Sequence, residues 1–97
     1  MKVVWTKAAL THLTSIYDFI AHDSPRYAIR TVDRLTDRSR QAGRFPQSGS
    51  VVPEYGDAAI RELIEGYYRI IYRVETSRIT VLSIVHAARL LPPLPPK

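Results

Sequence analysis

The stretch Ala59–Leu91, AIRELIEGYYRIIYRVETSRITVLSIVHAARLL, decides the fold. Tyr67–Val74 alternates, with Tyr68, Ile70, Tyr72 and Val74 on one face and Tyr67, Arg69, Ile71 and Arg73 on the other. Ile79–Val85 follows the turn Glu75-Thr76-Ser77 and is apolar on both faces, Ile79, Val81 and Val85 opposite Leu82 and Ile84. That pattern suits a central strand covered on both sides. Ile60–Glu65 is a third strand, and Glu65-Gly66 turns it back onto Tyr67–Val74. Arg61, Arg69 and Arg73 are then expected on neighbouring strands, converging on one sheet face. Guanidiniums gathered on one face repel one another unless an anionic group meets them, so this face is the first place to look for function. The plainer alternative is a solvated charge opposite each core residue.

Working outward, Lys2–Trp5 is short, β-branched and aromatic, an expected first strand. Thr6 is placed to cap a helix over Lys7–His22, where Leu10, Leu13, Ile16, Tyr17 and Ile20 recur at helical spacing. Ser24 and Pro25 restart a second helix, expected to run to about Ala42 and to stop at Gly43, with Ala28, Ile29, Val32, Leu35 and Ser39 as its inner stripe. The short link between the helices makes an antiparallel hairpin. Phe45–Ser50 is a loop, and Val51–Tyr55, interrupted by Pro53, suits an edge strand. The order is β-α-α-β-β-β(-β): an α+β domain spanning residues 1–91, with the helical hairpin packed on one face of a small, antiparallel-rich sheet. The other face is expected to be partly open, with Arg69 and Arg73 on it or at its rim. The Pro-rich tail, residues 92–97, suits polyproline II, as a strap over the surface or a loose end.

Ninety-seven residues make one domain with a modest core, and a 45% hydrophobic content excludes a wholly disordered chain. The formal net charge of +5 comes mostly from arginine, which pairs bidentately with carboxylate and phosphate and so favours an acidic protein or a nucleic acid as partner. No cysteine is present, which excludes disulfides and thiolate metal sites. No apolar run approaches the ~18 residues of a membrane span and no signal peptide is seen, so the chain is expected to be cytoplasmic.

The second helix carries Arg26, Arg30, Arg34 and Arg38 at four-residue spacing, a slowly drifting band with Asp33 and Asp37 placed to pair with Arg30 and Arg34. It is either a salt-laced solvated face or a contact surface for an acidic partner. His12 and His22 have no acidic or histidine neighbour at ligand spacing, so no metal site and no cofactor are expected. His86 ends the last strand three residues before Arg89, and an imidazole beside a fixed cation is a proton donor or acceptor suited to a phosphate. The alternative is a strand-end histidine bonded to backbone. No phosphate loop, nucleophile elbow or close carboxylate pair occurs, so any enzyme here must work with Arg, His and Tyr.

Trp5-Thr6, the helical hairpin, Arg61-Glu62-Leu63, Tyr68-Arg69-Ile70-Ile71-Tyr72-Arg73-Val74, and Ile84-Val85-His86 through Arg89 together resemble the RelE/ParE superfamily. These are the toxins of bacterial type II toxin–antitoxin modules, also called plasmid stabilisation proteins. The resemblance spans about Lys2 to Leu91. It implies a growth inhibitor held in a hetero-oligomer by a cognate antitoxin whose acidic C-terminal segment wraps it. RelE-like members cut mRNA on the ribosome, whereas ParE-like members inhibit DNA gyrase without being nucleases. Arg61 matches the basic residue before the central hairpin and Arg69 the arginine on the strand after it; Arg89 falls near the terminal Tyr or His of nuclease members. Under the nuclease reading Arg61, Arg69, His86 and Arg89 are the catalytic set. Under the binding reading Arg61, Arg69, Arg73, Arg89, Arg30 and Arg34 contact target or antitoxin. No tyrosine follows Tyr72 and Gln47–Gly56 contains no lysine, both departures from the nuclease pattern. The Val-His-x-x-Arg ending is similar to the ParE branch.

Overall fold

The computed structural model describes residues 1–89 and residue 91; the Pro-rich tail lies outside them. The chain runs β1 (Lys2–Trp5), α1 (Lys7–Ala21), α2 (Pro25–Arg44), β2 (Ser50–Val51), a 3-10 turn at Pro53–Tyr55, β3 (Ile60–Glu65), β4 (Tyr68–Val74) and β5 (Arg78–His86). Both helices start where capping chemistry predicts. The Thr6 hydroxyl accepts from the Ala9 N–H at 3.0 Å and the Ser24 hydroxyl from the Tyr27 N–H at 3.2 Å, with Pro25 in the first turn of α2. The five strands form one sheet in the order β1-β5-β4-β3-β2, antiparallel except where β1 lies parallel to β5. β5 is thus central, as its two-sided apolar pattern requires.

Strict alternation fails inside β5. Ile71 pairs with Ser83 but Tyr72 pairs with Val81, so Leu82 is an extra residue opposite no partner. A one-residue bulge exchanges the faces of everything after it. Ile79, Val81 and Ile84 therefore join Ile70 and Tyr72 in the cores beneath the helices, while Leu82 packs on the far side with Val52, Ile60 and Ile71. The expected grouping of Val85 with Ile79 and Val81 is corrected accordingly.

The far face is less open than expected. Val52 is fully buried there, and Tyr55 and Leu91 pack against the same cluster, because the segment after β2 folds back under the sheet. On the helical side Ala9, Leu35 and Ala42 are buried, whereas Leu10 and Ile29 are about half exposed, at 51% and 53%. Thr31 takes the inward place assigned to Ile29; its hydroxyl returns to the Tyr27 carbonyl at 2.9 Å, which makes it tolerable against the sheet. Gly43 does not stop α2, which continues to Arg44. Its role is close approach: a Cβ there would stand 2.8 Å from the Met1 carbonyl oxygen and 2.6 Å from a Val3 methyl, and the Met1 ammonium donates to the Gly43 carbonyl at 2.7 Å.

β1 ends at Trp5, opposite Val81, and leaves the outer edge of β5 without a strand partner. Helix α1 takes over. The Thr6 N–H donates to the Val81 carbonyl at 3.0 Å, the Thr6 hydroxyl to the Leu82 carbonyl at 3.0 Å, and His12 Nδ1 accepts from the Ile84 N–H at 3.2 Å. Buried backbone groups need such partners, and here one backbone N–H and two side chains supply them.

Candidate functional site

Sheet register decides which arginines can act together. Arg61 pairs with Tyr72 and shares its helix-facing side, whereas Arg69 pairs with Ile64 and Arg73 with Ile60 on the opposite side. The expected convergence of Arg61, Arg69 and Arg73 on one face is therefore corrected: an odd number of positions along β3 separates Arg61 from both partner residues.

Their environments differ as much as their faces. Arg61 Nη1 donates to the Gly49 carbonyl at 2.7 Å, pinning the loop before β2. The Tyr72 hydroxyl pins the same loop, accepting from the Gly49 N–H at 3.0 Å and donating to the Pro46 carbonyl at 2.8 Å. Arg69 is only 9% exposed and is gripped by two carboxylates. Its Nε and Nη2 donate to Glu62 at 3.0 and 2.7 Å; Nη1 and Nη2 donate to Glu54 at 2.9 and 3.1 Å. The hydrogen bonds that Arg69 donates to Glu54 and then to Glu62 raise the guanidinium pKa above its ordinary value, and accepting from Arg69 holds the Glu54 carboxyl below the usual range. The Arg73 side chain makes no hydrogen bond among the described residues, and its buried Nε, like that of Arg61, has no partner there. It lines an open hollow with Thr6, Thr80 and Glu75.

Arg30 and Arg34 are exposed on α2 as expected, but Asp37 pairs with Arg40 at 2.5 Å instead of Arg34. At the other end of the sheet, a turn joins His86 to Arg89: the Arg89 N–H donates to the His86 carbonyl at 2.9 Å, and His86 Nδ1 accepts from the Ala88 N–H at 3.2 Å. The His86 ring stacks on Tyr67, with centroids 6.1 Å apart, and meets Tyr68 edge-on at 5.8 Å. His86 pairs with Tyr68, four residues along β4 from Tyr72 and Arg61. At about 3.3 Å per residue, roughly 13 Å of strand lies between these positions.

His86 and Arg89 line a groove of about 290 Å³ between β5 and α1, together with Tyr68, Ile16, Ser15 and His12. Metal-ligand spacing does not point to this role of His12. Its helical position was the signal: three residues after Ala9 and four before Ile16, it falls on the stripe that faces the sheet. Among the described residues no group of acidic or histidine side chains is placed to hold a metal, and no helix is long and apolar enough to cross a membrane.

Burial pushes the His12 imidazole pKa below its ordinary value. Protonating both nitrogens would also remove the acceptor used by the Ile84 N–H. The sign follows from the depressed value: the neutral ring's contribution is complete above about pH 6.5, the unfolded value, and is lost as pH falls through the lower folded one. Replacing His12 with leucine is expected to cost about 1 kcal/mol in urea denaturation at neutral pH, and less under mildly acidic conditions. A penalty that grows as the pH falls would contradict this role.

The chain was compared with known proteins. The model of the ParE toxin of type II toxin–antitoxin systems, parDE, matches residues 3–91. Toxin RelE2 of Caulobacter vibrioides is 37% identical over 90 residues, covering 92% of this chain and 98% of that one. Among solved structures, the chromosomal ParDE system of P. aeruginosa superposes with a TM-score of 0.72 at 22% identity, over 89% of this chain and 95% of that one. The YoeB/ParE toxin of Agrobacterium tumefaciens gives a TM-score of 0.61 at 28% identity, over 89% and 98%. The toxin–antitoxin complex RelBE2 of Mycobacterium tuberculosis gives 0.58 at 23%, over 88% and 95%. With a helical hairpin over a five-stranded sheet and a family match that spans nearly its whole length, the chain belongs to the ParE toxins of type II toxin–antitoxin systems.

Proposed function

We propose that this toxin acts by binding, with DNA gyrase as its target, and that a cognate antitoxin with an acidic segment neutralises it in the cytoplasm. The observation that carries the reading is the state of Arg69. A phosphorane-stabilising arginine must be free to meet phosphate oxygens, yet all three nitrogens of this guanidinium donate to Glu54 and Glu62. The other residues of the nuclease set are dispersed. Arg61 holds a loop carbonyl on the helical side, and His86 and Arg89 stand near the far end of the same strands. Docking makes no such demand for convergence. Four arginines that make no ion pair among the described residues, Arg30 and Arg34 on α2, Arg73 on the far face and Arg89 beside the groove, are the contacts for target and antitoxin. A charge of +5 favours association with an acidic segment.

Purified, antitoxin-free protein is expected to inhibit supercoiling by gyrase and to leave ribosome-bound mRNA intact in primer extension. Discrete cuts in the ribosomal A site that disappear in His86→Ala would replace this reading with an mRNA endonuclease.

A further inference from the structure

Two imidazoles from distant parts of the chain line one groove. His12 reaches it from α1 and His86 from the end of β5. Each accepts a backbone N–H at Nδ1, from Ile84 and Ala88, at 3.2 Å in both cases. A neutral imidazole that accepts at Nδ1 carries its proton on Nε2. Both rings therefore keep an Nε2–H donor that finds no partner among the described residues. The Tyr68 phenol, the Ser15 hydroxyl and the Arg89 guanidinium share the same walls, and no acidic side chain is among the described residues that line them. Arg89 makes no ion pair among the described residues, and it stands near enough to Tyr68 for its charge to oppose the rise that burial imposes on the phenol.

Donors without carboxylates suit an anion, and their arrangement distinguishes between anions. They come from α1, β4 and the turn after β5, so they approach from several sides. A carboxylate offers two oxygens in one plane, whereas a tetrahedral phosphate offers oxygens in three directions. A volume of about 290 Å³ is also far more than a bare ion fills. The rest of the wall is apolar, with Ile16 and Ile84, and the Phe19 ring stands 73% exposed beside it. An aromatic surface next to an anion site is what a nucleobase stacks on.

We propose that this groove binds the phosphate of a nucleotide, with the Nε2–H groups of His12 and His86 and the Arg89 guanidinium on its oxygens and the base against Phe19 and Tyr68. The site shares Arg89 with the docking contacts proposed above and adds the imidazoles of His12 and His86, which that reading does not use.

The test is a titration of the whole toxin with uridine 3′-monophosphate at constant ionic strength and about pH 7.5, following the imidazole proton resonances. The His12 and His86 signals are expected to move together, with one midpoint, and uridine itself is expected to leave them in place. Arg89→Ala should weaken binding about tenfold, the worth of one charge-assisted contact. Arg89 is exposed, so this variant keeps the fold, which its other resonances verify. His12→Gln, which retains an acceptor for the Ile84 N–H, should weaken binding in the same direction. A single-stranded oligonucleotide binding more tightly than the mononucleotide identifies a nucleic-acid strand as the source of the phosphate; the reverse order identifies a free nucleotide. Acetate moving both signals as far at equal ionic strength would overturn the proposal, as would movement of His86 alone.

Discussion

Replacing Arg69 with leucine is expected to lower the stability of the toxin by about 3 kcal/mol, a fall in melting temperature of well over 10 °C for a domain of this size. The side chain is 11% exposed and Glu62 only 13%, so removing the guanidinium strands a carboxylate in a site shielded from water. Glu54 is 48% exposed and can turn to solvent, which is why the expected cost sits at the low end for a broken buried pair. Combining Arg69→Leu with Glu62→Gln should recover a large part of the loss, because the stranded charge is gone. A single variant as stable as the parent in urea denaturation would mean that Arg69 is not held as described, and would make it available to a ligand. Loss of toxicity on substituting Arg69 therefore needs a stability measurement beside it before it is read as a functional effect.

Gly49→Ala is expected to be about as damaging, at about 3 kcal/mol, through overpacking and lost hydrogen bonds together. A Cβ at this position would stand 2.5 Å from both the Glu62 carbonyl oxygen and the Tyr72 hydroxyl. Neither neighbour yields easily: one is strand backbone, and Tyr72 is fully buried. The loop must move instead, and it would give up the bond from the Gly49 N–H to Tyr72 and the bond from Arg61 to the Gly49 carbonyl. Tyr72→Phe, which removes only the hydroxyl, should cost less, about 2 kcal/mol for two backbone groups left without partners. Thermal unfolding followed by circular dichroism ranks the two variants. Gly49→Ala within about 0.5 kcal/mol of the parent, the range of an ordinary surface change, would show that the loop has room the geometry denies it.

The sequence patterns that foretold the fold were those governed by local physics. Thr6, Ser24 and Pro25 marked helix starts because capping depends on a few adjacent residues. The alternation of Tyr68–Val74 separated core from far face because pleating has a fixed period. What escaped depended on distant partners. The bulge at Leu82 leaves no compositional trace, since Val81, Leu82 and Ser83 fit a regular strand equally well. Gly43 looked like a helix stop because the approach of Met1 and Val3 lies in the tertiary structure alone. The candidate site suffered in the same way. Arg61, Arg69 and Arg73 are alike as letters, yet one binds a loop, one is neutralised and one has no carboxylate partner, and only register and the fold of Val52–Tyr55 beneath the sheet distinguish them. The role of His12 is set by the strand it covers, not by its neighbours in sequence.

The use of α1 as a substitute strand along the outer edge of β5 couples two kinds of opening. If the helix swings outward, the Thr6 and His12 contacts go with it, and the carbonyl of Leu82 and the N–H of Ile84 are bared in the middle of the sheet. An exposed strand edge is a template on which another chain can add. Helix docking and protection from edge-to-edge association are thus one equilibrium in this toxin. Sequence changes that loosen the Lys7–Ala21 helix endanger solubility as well as stability, even where they touch no strand.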